Sequence, residues 1–386
     1  MFSRRTPDEL TANRLAAAIA RRRAAGQEIV DLTTANPTEV GIEYPVVELG
    51  AALAAVAGQP YRPDPRGLVE ARGVVADTFA ARGVAIDPEQ IFLTASTSEG
   101  YGFLFKLLCE PGDEILVPRP SYPLFEHLAR LEGVTAKSYR LGPSPGFALD
   151  PDRVEVELGE RTRAVVVVSP NNPTGQVASA AALAELASLC AARGVALISD
   201  EVFADYHGPA EPPPPCALAA GGALRFALGG LSKSCGLPHF KLGWIAAEGP
   251  PAELDAALAR LEHIADSYLS ASTPVMASLP LLLAIGAGIR ADIASRIAAN
   301  RRRAAALLGD RLLPAAAGWT ACIELDPATD EEQLTELLVE RHGVIVHPGY
   351  FFDFDRGAHA VVSLLVPGDR LERGLAALVE LTARRS

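Results

Sequence analysis

Lys233 lies in the segment Gly230-Leu-Ser-Lys-Ser-Cys-Gly-Leu-Pro-His-Phe-Lys-Leu-Gly-Trp244, eight positions before a second lysine, Lys241. The chain has four lysines in all, so 31 of its 35 basic residues are arginines. In a composition that avoids lysine, two of them in one glycine-rich segment point to a chemical requirement. A lysine amine can form a Schiff base with a carbonyl compound, whereas a guanidinium cannot. The chemistry suggested is covalent catalysis with Lys233 as the nucleophile.

Five short apolar runs precede segments rich in polar and turn residues. Ile91-Phe-Leu-Thr94, Ile115-Leu-Val117, Ala164-Val-Val-Val-Val168, Val195-Ala-Leu-Ile198 and Phe226-Ala-Leu228 read as buried strands. Alanine-rich helical periodicity separates them, which predicts a mainly parallel α/β sheet covered on both faces. In such sheets ligands bind beyond the carboxyl ends of the strands. There the sequence places Ala95-Ser-Thr-Ser-Glu99, Pro118-Arg-Pro-Ser-Tyr-Pro123, Ser169-Pro-Asn-Asn-Pro-Thr-Gly175, Asp200-Glu201 and Gly229-Gly-Leu-Ser-Lys233. Five such segments are therefore expected on one rim.

Beyond Trp244 the pattern is helical from Pro251 to Leu261 and again to about Leu308. Strand-like runs follow at Thr320–Leu325, Val344–Val346 and Ala360–Val366. The expected organisation is an N-terminal segment, 1–45, that joins a smaller α+β domain at 281–386, with a large domain at 46–280 between them. The length of 386 residues and 49% hydrophobic content suffice for two packed domains. A formal charge of -12 argues against a nucleic-acid surface. Five scattered cysteines, none in CxxC spacing, fit neither a disulfide framework nor a zinc site, and suggest a reduced, cytoplasmic protein. The N-terminal stretch from Met1 to Glu9 lacks an apolar core, and no apolar run reaches membrane-spanning length. No metal, nucleic-acid or membrane partner is expected.

Taken in order, these motifs resemble the fold-type I pyridoxal-phosphate enzymes, specifically the class I/II aminotransferases related to aspartate and alanine aminotransferase. The resemblance spans nearly the whole chain, from Asn36-Pro37 through Tyr61, Ser96-Thr97-Ser98, Pro120-Ser-Tyr-Pro123, Asn171-Asn-Pro-Thr-Gly175 and Asp200-Glu-Val-Phe203 to Ser232-Lys233 and Lys241-Leu-Gly-Trp244. It implies that Lys233 holds pyridoxal 5'-phosphate as a Schiff base and moves the substrate α-proton. Asp200 would pair with the pyridine nitrogen, Asn172 would donate to the phenolic oxygen, and Tyr122 would stack over the ring. Ser96, Thr97 and Ser98, opening a helix, would cup the phosphate with Ser232 and Lys241. It further implies a homodimer with shared sites, in which Tyr61 reaches the neighbouring subunit's phosphate. A small-molecule amino donor and an oxo acid would exchange an amino group in two steps.

Three departures from the family pattern are visible. Lys241 stands where the family usually has an arginine, giving a point charge in place of a bidentate fork. Phe203 replaces a tyrosine that assists Asn172, so the Schiff base is expected to titrate nearer neutral pH than in tyrosine-containing relatives. Val361, two residues before Ser363, takes the place of the arginine that grips the substrate α-carboxylate. Slight misalignment, replacement by another cation such as Arg356 or Arg119, and a substrate other than an ordinary α-amino acid are the competing explanations. The last leaves a lyase or decarboxylase on the same cofactor as the alternative function.

Overall fold

The computed structural model describes residues 2–7, 13–208 and 211–383; Met1, Asp8 and Glu9 of the N-terminal stretch read above lie outside them. Its strands, in chain order, are β1 (Val30–Asp31), β2 (Ile91–Thr94), β3 (Glu114–Arg119), β4 (Thr135–Arg140), β5 (Thr162–Val168), β6 (Ala196–Asp200), β7 (Arg225–Gly230) and β8 (Gly243–Glu248). They continue with β9 (Thr320–Leu325), β10 (Val344–Ile345), β11 (His347–Pro348) and β12 (Ala358–Ser363). Seven form the main sheet in the order β2-β8-β7-β6-β5-β3-β4. Within it β3 to β7 run parallel and β8 antiparallel to both its neighbours.

The apolar runs of the sequence form strands because both faces of this sheet are buried. Along β5, Ala164, Val166 and Val168 point into one apolar cluster, while Val165 and Val167 point into another. The first cluster is closed by Leu104 and Phe105 of the helix Thr97–Leu108 and by Leu261 of the helix Pro251–Asp266. The second is closed by Leu183, Leu186 and Cys190 of the helix Ala180–Arg193. A continuous Val/Ile run is the pattern such two-sided burial demands.

Two strands had no signal of that kind. β4 is an edge strand of sequence TAKSYR in which only Tyr139 is buried, and β8 is the Gly/Ala-rich strand directly after Lys241. The last strand also ends earlier than its apolar run, at Ser363. The side-chain amide of Asn300 takes the carbonyls of Leu364 (2.8 Å) and Val366 (2.7 Å), which removes them from any ladder.

The remaining strands build a second region. β9, β12 and β11 form an antiparallel sheet, and β1 pairs in parallel with β10, Val30 opposite Val344. The helix Leu279–Leu308 runs between the two regions, its face of Leu282, Ile289, Ile293 and Ile297 buried. The small sheet docks directly on the main one: Thr320 Oγ1 donates to the carbonyl of Pro173 at 2.7 Å, and Cys322 Sγ lies 3.3 Å from the same oxygen.

Register fixes where the polar segments go. Thr94 pairs with Gly243, Gly230 with the same glycine, Val168 with Asp200, and Asp200 with Leu228. The ends of β2, β5, β6 and β7 and the start of β8 therefore share one edge of the sheet, and the segments that follow β2, β5, β6 and β7, together with Lys241, meet there.

Candidate active site

Lys233 belongs to a single helical turn, Leu231–Ser234, that begins where β7 ends. The turn can sit there only because residue 230 is glycine: a Cβ on Gly230 would lie 2.9 Å from the carbonyl oxygen of Leu242. Tyr206 Oη donates to the Lys233 carbonyl at 2.6 Å and pins the turn. The Lys233 amine stands 4.6 Å from the ring centre of Trp319 and 5.6 Å from that of Phe203. Burial in this aromatic corner pushes the amine down to about 8, and the negative charge of Asp200 opposes the shift. A desolvated amine of that kind is neutral, and nucleophilic, far more of the time than an exposed lysine.

Asp200 is the last residue of β6. Its Oδ2 accepts from Tyr101 Oη at 3.0 Å, and its Oδ1 from the backbone N–H of Val202 at 3.2 Å. Burial pushes the carboxyl up to about 6, against the stabilising effect of those two donors and of Lys233. Trp319 and Tyr101 were not found by sequence reasoning. In the sequence Tyr101 is one residue of the apolar stretch Tyr101-Gly-Phe-Leu-Phe105, and its hydroxyl is the only sign that it does more than pack.

The Asn171-Asn172 pair divides its work. Asn171 shapes its loop: its Oδ1 accepts from Thr174 Oγ1 (2.8 Å), and its Nδ2 donates to the Pro120 carbonyl (3.3 Å). Asn172 is left with a buried Oδ1 that has no partner. Since amide oxygen and nitrogen exchange places by a half-turn, this group can offer either a donor or an acceptor.

Ser96 caps the helix Thr97–Leu108, its Oγ accepting the Glu99 N–H at 3.2 Å, and Glu99 returns the bond to Ala95 N–H at 2.7 Å. The N–H groups of Thr97 and Ser98, in the first turn, have no partner within the helix, which makes this end suitable for an anion. The start of β8 packs closely beneath it, for a Cβ on Gly243 would lie 2.9 Å from the Ser96 carbonyl carbon and 3.0 Å from the Thr97 nitrogen. Ser232 precedes Lys233 in its turn, and Lys241 sits exposed just before β8 in a left-handed conformation (φ 53°). Tyr122 and Tyr61 are exposed, at 48% and 68%. Tyr61 lines a separate cleft with Leu93, Phe103, Leu269 and Met276, so this chain does not itself bring Tyr61 to Lys233.

The wall of the small sheet around Val361 is different in kind. Val361 pairs with Cys322 across the small sheet, and the two are 1% and 3% exposed. They pack in one apolar cluster with Phe352 and Leu313. The Phe352 carbonyl accepts from the Ser121 N–H at 2.9 Å, Arg119 Nε donates to the Asp353 carbonyl at 2.8 Å, and Arg140 pairs with Asp355 at 3.2 Å. Arg356 is exposed. His359, two residues before Val361, is buried and stacked on Phe354 with ring centres 4.1 Å apart. Of the cations suggested as replacements for the missing arginine, Arg119 is engaged by a carbonyl and Arg356 is at the surface.

A buried amine, a buried carboxylate, an unpartnered amide and a helix N-terminus on one rim suit a ligand with an aldehyde, a basic ring nitrogen, a ring oxygen and a phosphate. Pyridoxal 5'-phosphate has these four groups.

Residues 52–364 match the family described as aminotransferase class I and II. The chain is 28% identical over 298 residues to the glutamate-pyruvate aminotransferase AlaA of Escherichia coli strain K12, covering 74% of this chain and 71% of that protein. It is 32% identical over 235 residues to the S-alkyl-thiohydroximate lyase SUR1 of Arabidopsis thaliana, covering 60% and 50%. The alanine aminotransferase from Pyrococcus furiosus has the same fold, with a TM-score of 0.90 at 21% identity over 100% of both chains.

Proposed function

The chain belongs to the class I and II aminotransferase family, and from that premise we propose that it is a pyridoxal 5'-phosphate-dependent enzyme moving an amino group between a small amino donor and an oxo acid in two half-reactions. Bound at the rim, the cofactor supplies an electron-accepting ring for the bonds of the substrate α-carbon. The remaining tasks fall to side chains of the protein. Lys233 Nζ would hold the cofactor and carry the substrate α-proton, tasks for which an amine that is neutral more of the time than an exposed lysine is suited. Asp200 holds the proton of the ring nitrogen, and Asn172 donates to the ring oxygen. Ser96, Thr97, Ser98 and Ser232 hold the phosphate with the Lys241 charge, while Tyr122 covers the ring face.

The observation that carries this reading is the desolvated amine of Lys233 beside the buried carboxylate of Asp200. A lyase reading has in its favour the likeness to SUR1, which extends over half of that protein, and the apolar wall at Val361. The relative matched over the larger share of its length is an aminotransferase.

A homodimer is supported by the exposed Val46, Val47, Tyr61, Tyr268 and Leu281, apolar surface that a second copy would cover; Tyr61 would then serve the partner's site. We also propose the division into 1–45, 46–280 and 281–386, supported by the pairing of β1 with β10, and a cytoplasmic location. Among the described residues no helix is long and apolar enough to cross a membrane. The test of the attachment is borohydride reduction of protein incubated with the cofactor, followed by peptide mass spectrometry. The adduct is expected on Lys233 and to be absent from Lys233→Ala; an adduct on another lysine overturns the assignment.

A further inference from the structure

Resting on that reading of the site, we infer that Tyr101 is a positioning residue for Asp200, and that the helix Thr97–Leu108 thereby ties the phosphate end of the cofactor site to its ring-nitrogen end. Nothing in the attachment chemistry at Lys233 requires Tyr101. The inference comes from what its hydroxyl does and where its backbone sits.

Tyr101 is 1% exposed, with its ring packed edge-on against Phe125 (5.3 Å between centres) and tilted against Phe105 (5.8 Å). Those contacts leave the phenol one orientation, in which Oη reaches Asp200 Oδ2 at 3.0 Å. The other oxygen, Oδ1, takes the Val202 N–H. Each carboxylate oxygen is therefore held by one donor of the protein, which fixes the plane of the group. The second lone pair of each oxygen remains available. A phenylalanine at this position would pack equally well against Phe105 and Phe125, so the hydroxyl is there for the carboxylate.

Tyr101 also lies four residues after Thr97, a rise of about 6 Å along the helix. The helix whose first turn would bind the phosphate thus carries, one turn further on, the group that orients the partner of the ring nitrogen. The two ends of the cofactor would be held at a distance set by one rigid element, with Asp200 contributed by the strand beneath it. Glu201, the neighbouring charge, is turned away: its Oε1 accepts from Ser199 Oγ (3.0 Å) and the Ala217 N–H (2.9 Å), and its Oε2 pairs with Arg82 at 2.7 Å. Among the described residues, Asp200 is left with Tyr101, Val202 and the Lys233 charge as its stabilising company.

The test compares binding of pyridoxal 5'-phosphate with binding of its analogue in which the ring nitrogen is replaced by carbon, to wild type and to Tyr101→Phe. Loss of a hydrogen bond to a charged group is expected to weaken the natural cofactor on the order of tenfold or more. The analogue, which makes no use of Asp200, should be affected less than about twofold, the scatter of independent sites. As a control, Tyr139→Phe removes another buried tyrosine hydroxyl, bonded to the Val166 carbonyl at 2.9 Å, and should leave the ratio of the two affinities unchanged.

Equal weakening of both ligands, or of neither, overturns the inference while leaving the function reading intact. A wild type that binds neither overturns that reading itself. Should Tyr101→Phe not fold with its buried charge deprived of a donor, the same substitution is made over Asp200→Asn. There it is expected to leave the affinity ratio unchanged, and a ratio that still moves means Tyr101 does not act through Asp200.

Discussion

The rim that carries Lys233 and the wall of the small sheet around Val361 are built on opposite principles. On the rim, ionisable groups are buried with chosen partners: Lys233 against two aromatic rings, Asp200 between Tyr101 and the Val202 N–H. On the wall formed by β9 and β12, Cys322, Val361 and Phe352 form a closed apolar surface. Of the arginines beside it, Arg119 gives its Nε–H to the Asp353 carbonyl and Arg140 pairs with Asp355. A fixed ligand can be met with fixed charges, because the cost of burying each charge is offset by a ligand that is always the same. The apolar cluster around Val361 offers no charge to a ligand.

The largest effect is expected from placing the family's arginine back into this wall. If the wall is a packed core surface, Val361→Arg buries a guanidinium without a carboxylate and should lower stability by about 3 kcal/mol or more, read from denaturant unfolding. Val361→Ala should cost about 1–2 kcal/mol by cavity formation. An arginine variant that stays stable and lowers KM for amino acids would dissolve the contrast, by showing a carboxylate site that valine merely leaves unused.

The next prediction concerns the charged wall. With its amine pushed down to about 8 by burial, Lys233 of the cofactor-free protein should capture the aldehyde at a rate that rises with pH and levels off just above 8. For an exposed lysine the rise would continue to about pH 10. The sign for stability is the same: between those values the unfolded chain holds a proton that the folded chain has lost, so the destabilisation due to burying Lys233 diminishes as pH rises. A stopped-flow pH profile with its midpoint near 10 would mean the amine is not desolvated.

The smallest effect should come from Phe203, buried edge-on to Trp319 with ring centres 5.5 Å apart. Phe203→Tyr adds a donor near the ring oxygen, and the visible absorbance of the bound cofactor should then titrate at a lower pH than in wild type, by up to about one unit. An unchanged titration would separate Phe203 from that oxygen.

How much of this was legible in the sequence follows the same division. Five strands of the main sheet, β2, β3, β5, β6 and β7, could be read because burial on both faces writes an unbroken apolar run, as in Ala164–Val168. The meeting of polar segments on one rim could be read because each segment there is a turn or cap with distinctive residue types. β4 was hidden because an edge strand need not be apolar, and β8 because it opens on Gly243, whose approach to Ser96 and Thr97 leaves no room for a side chain. Tyr101 and Trp319 were hidden for a different reason. Each acts through a partner distant in sequence, Asp200 and Lys233, and a large aromatic in an apolar stretch carries no mark of that partner. That Arg119 gives its Nε–H to the Asp353 carbonyl could be known only from the structure.

The central claim, that Lys233 serves transamination, is tested most directly by a single turnover without acceptor. Purified protein loaded with pyridoxal 5'-phosphate is mixed with each of a panel of small amino donors, and the visible spectrum and products are followed. The account predicts loss of the visible band with release of one equivalent of the matching oxo compound, and no such change in Lys233→Ala. Release of ammonia with the cofactor spectrum restored would contradict it and assign the site to elimination chemistry.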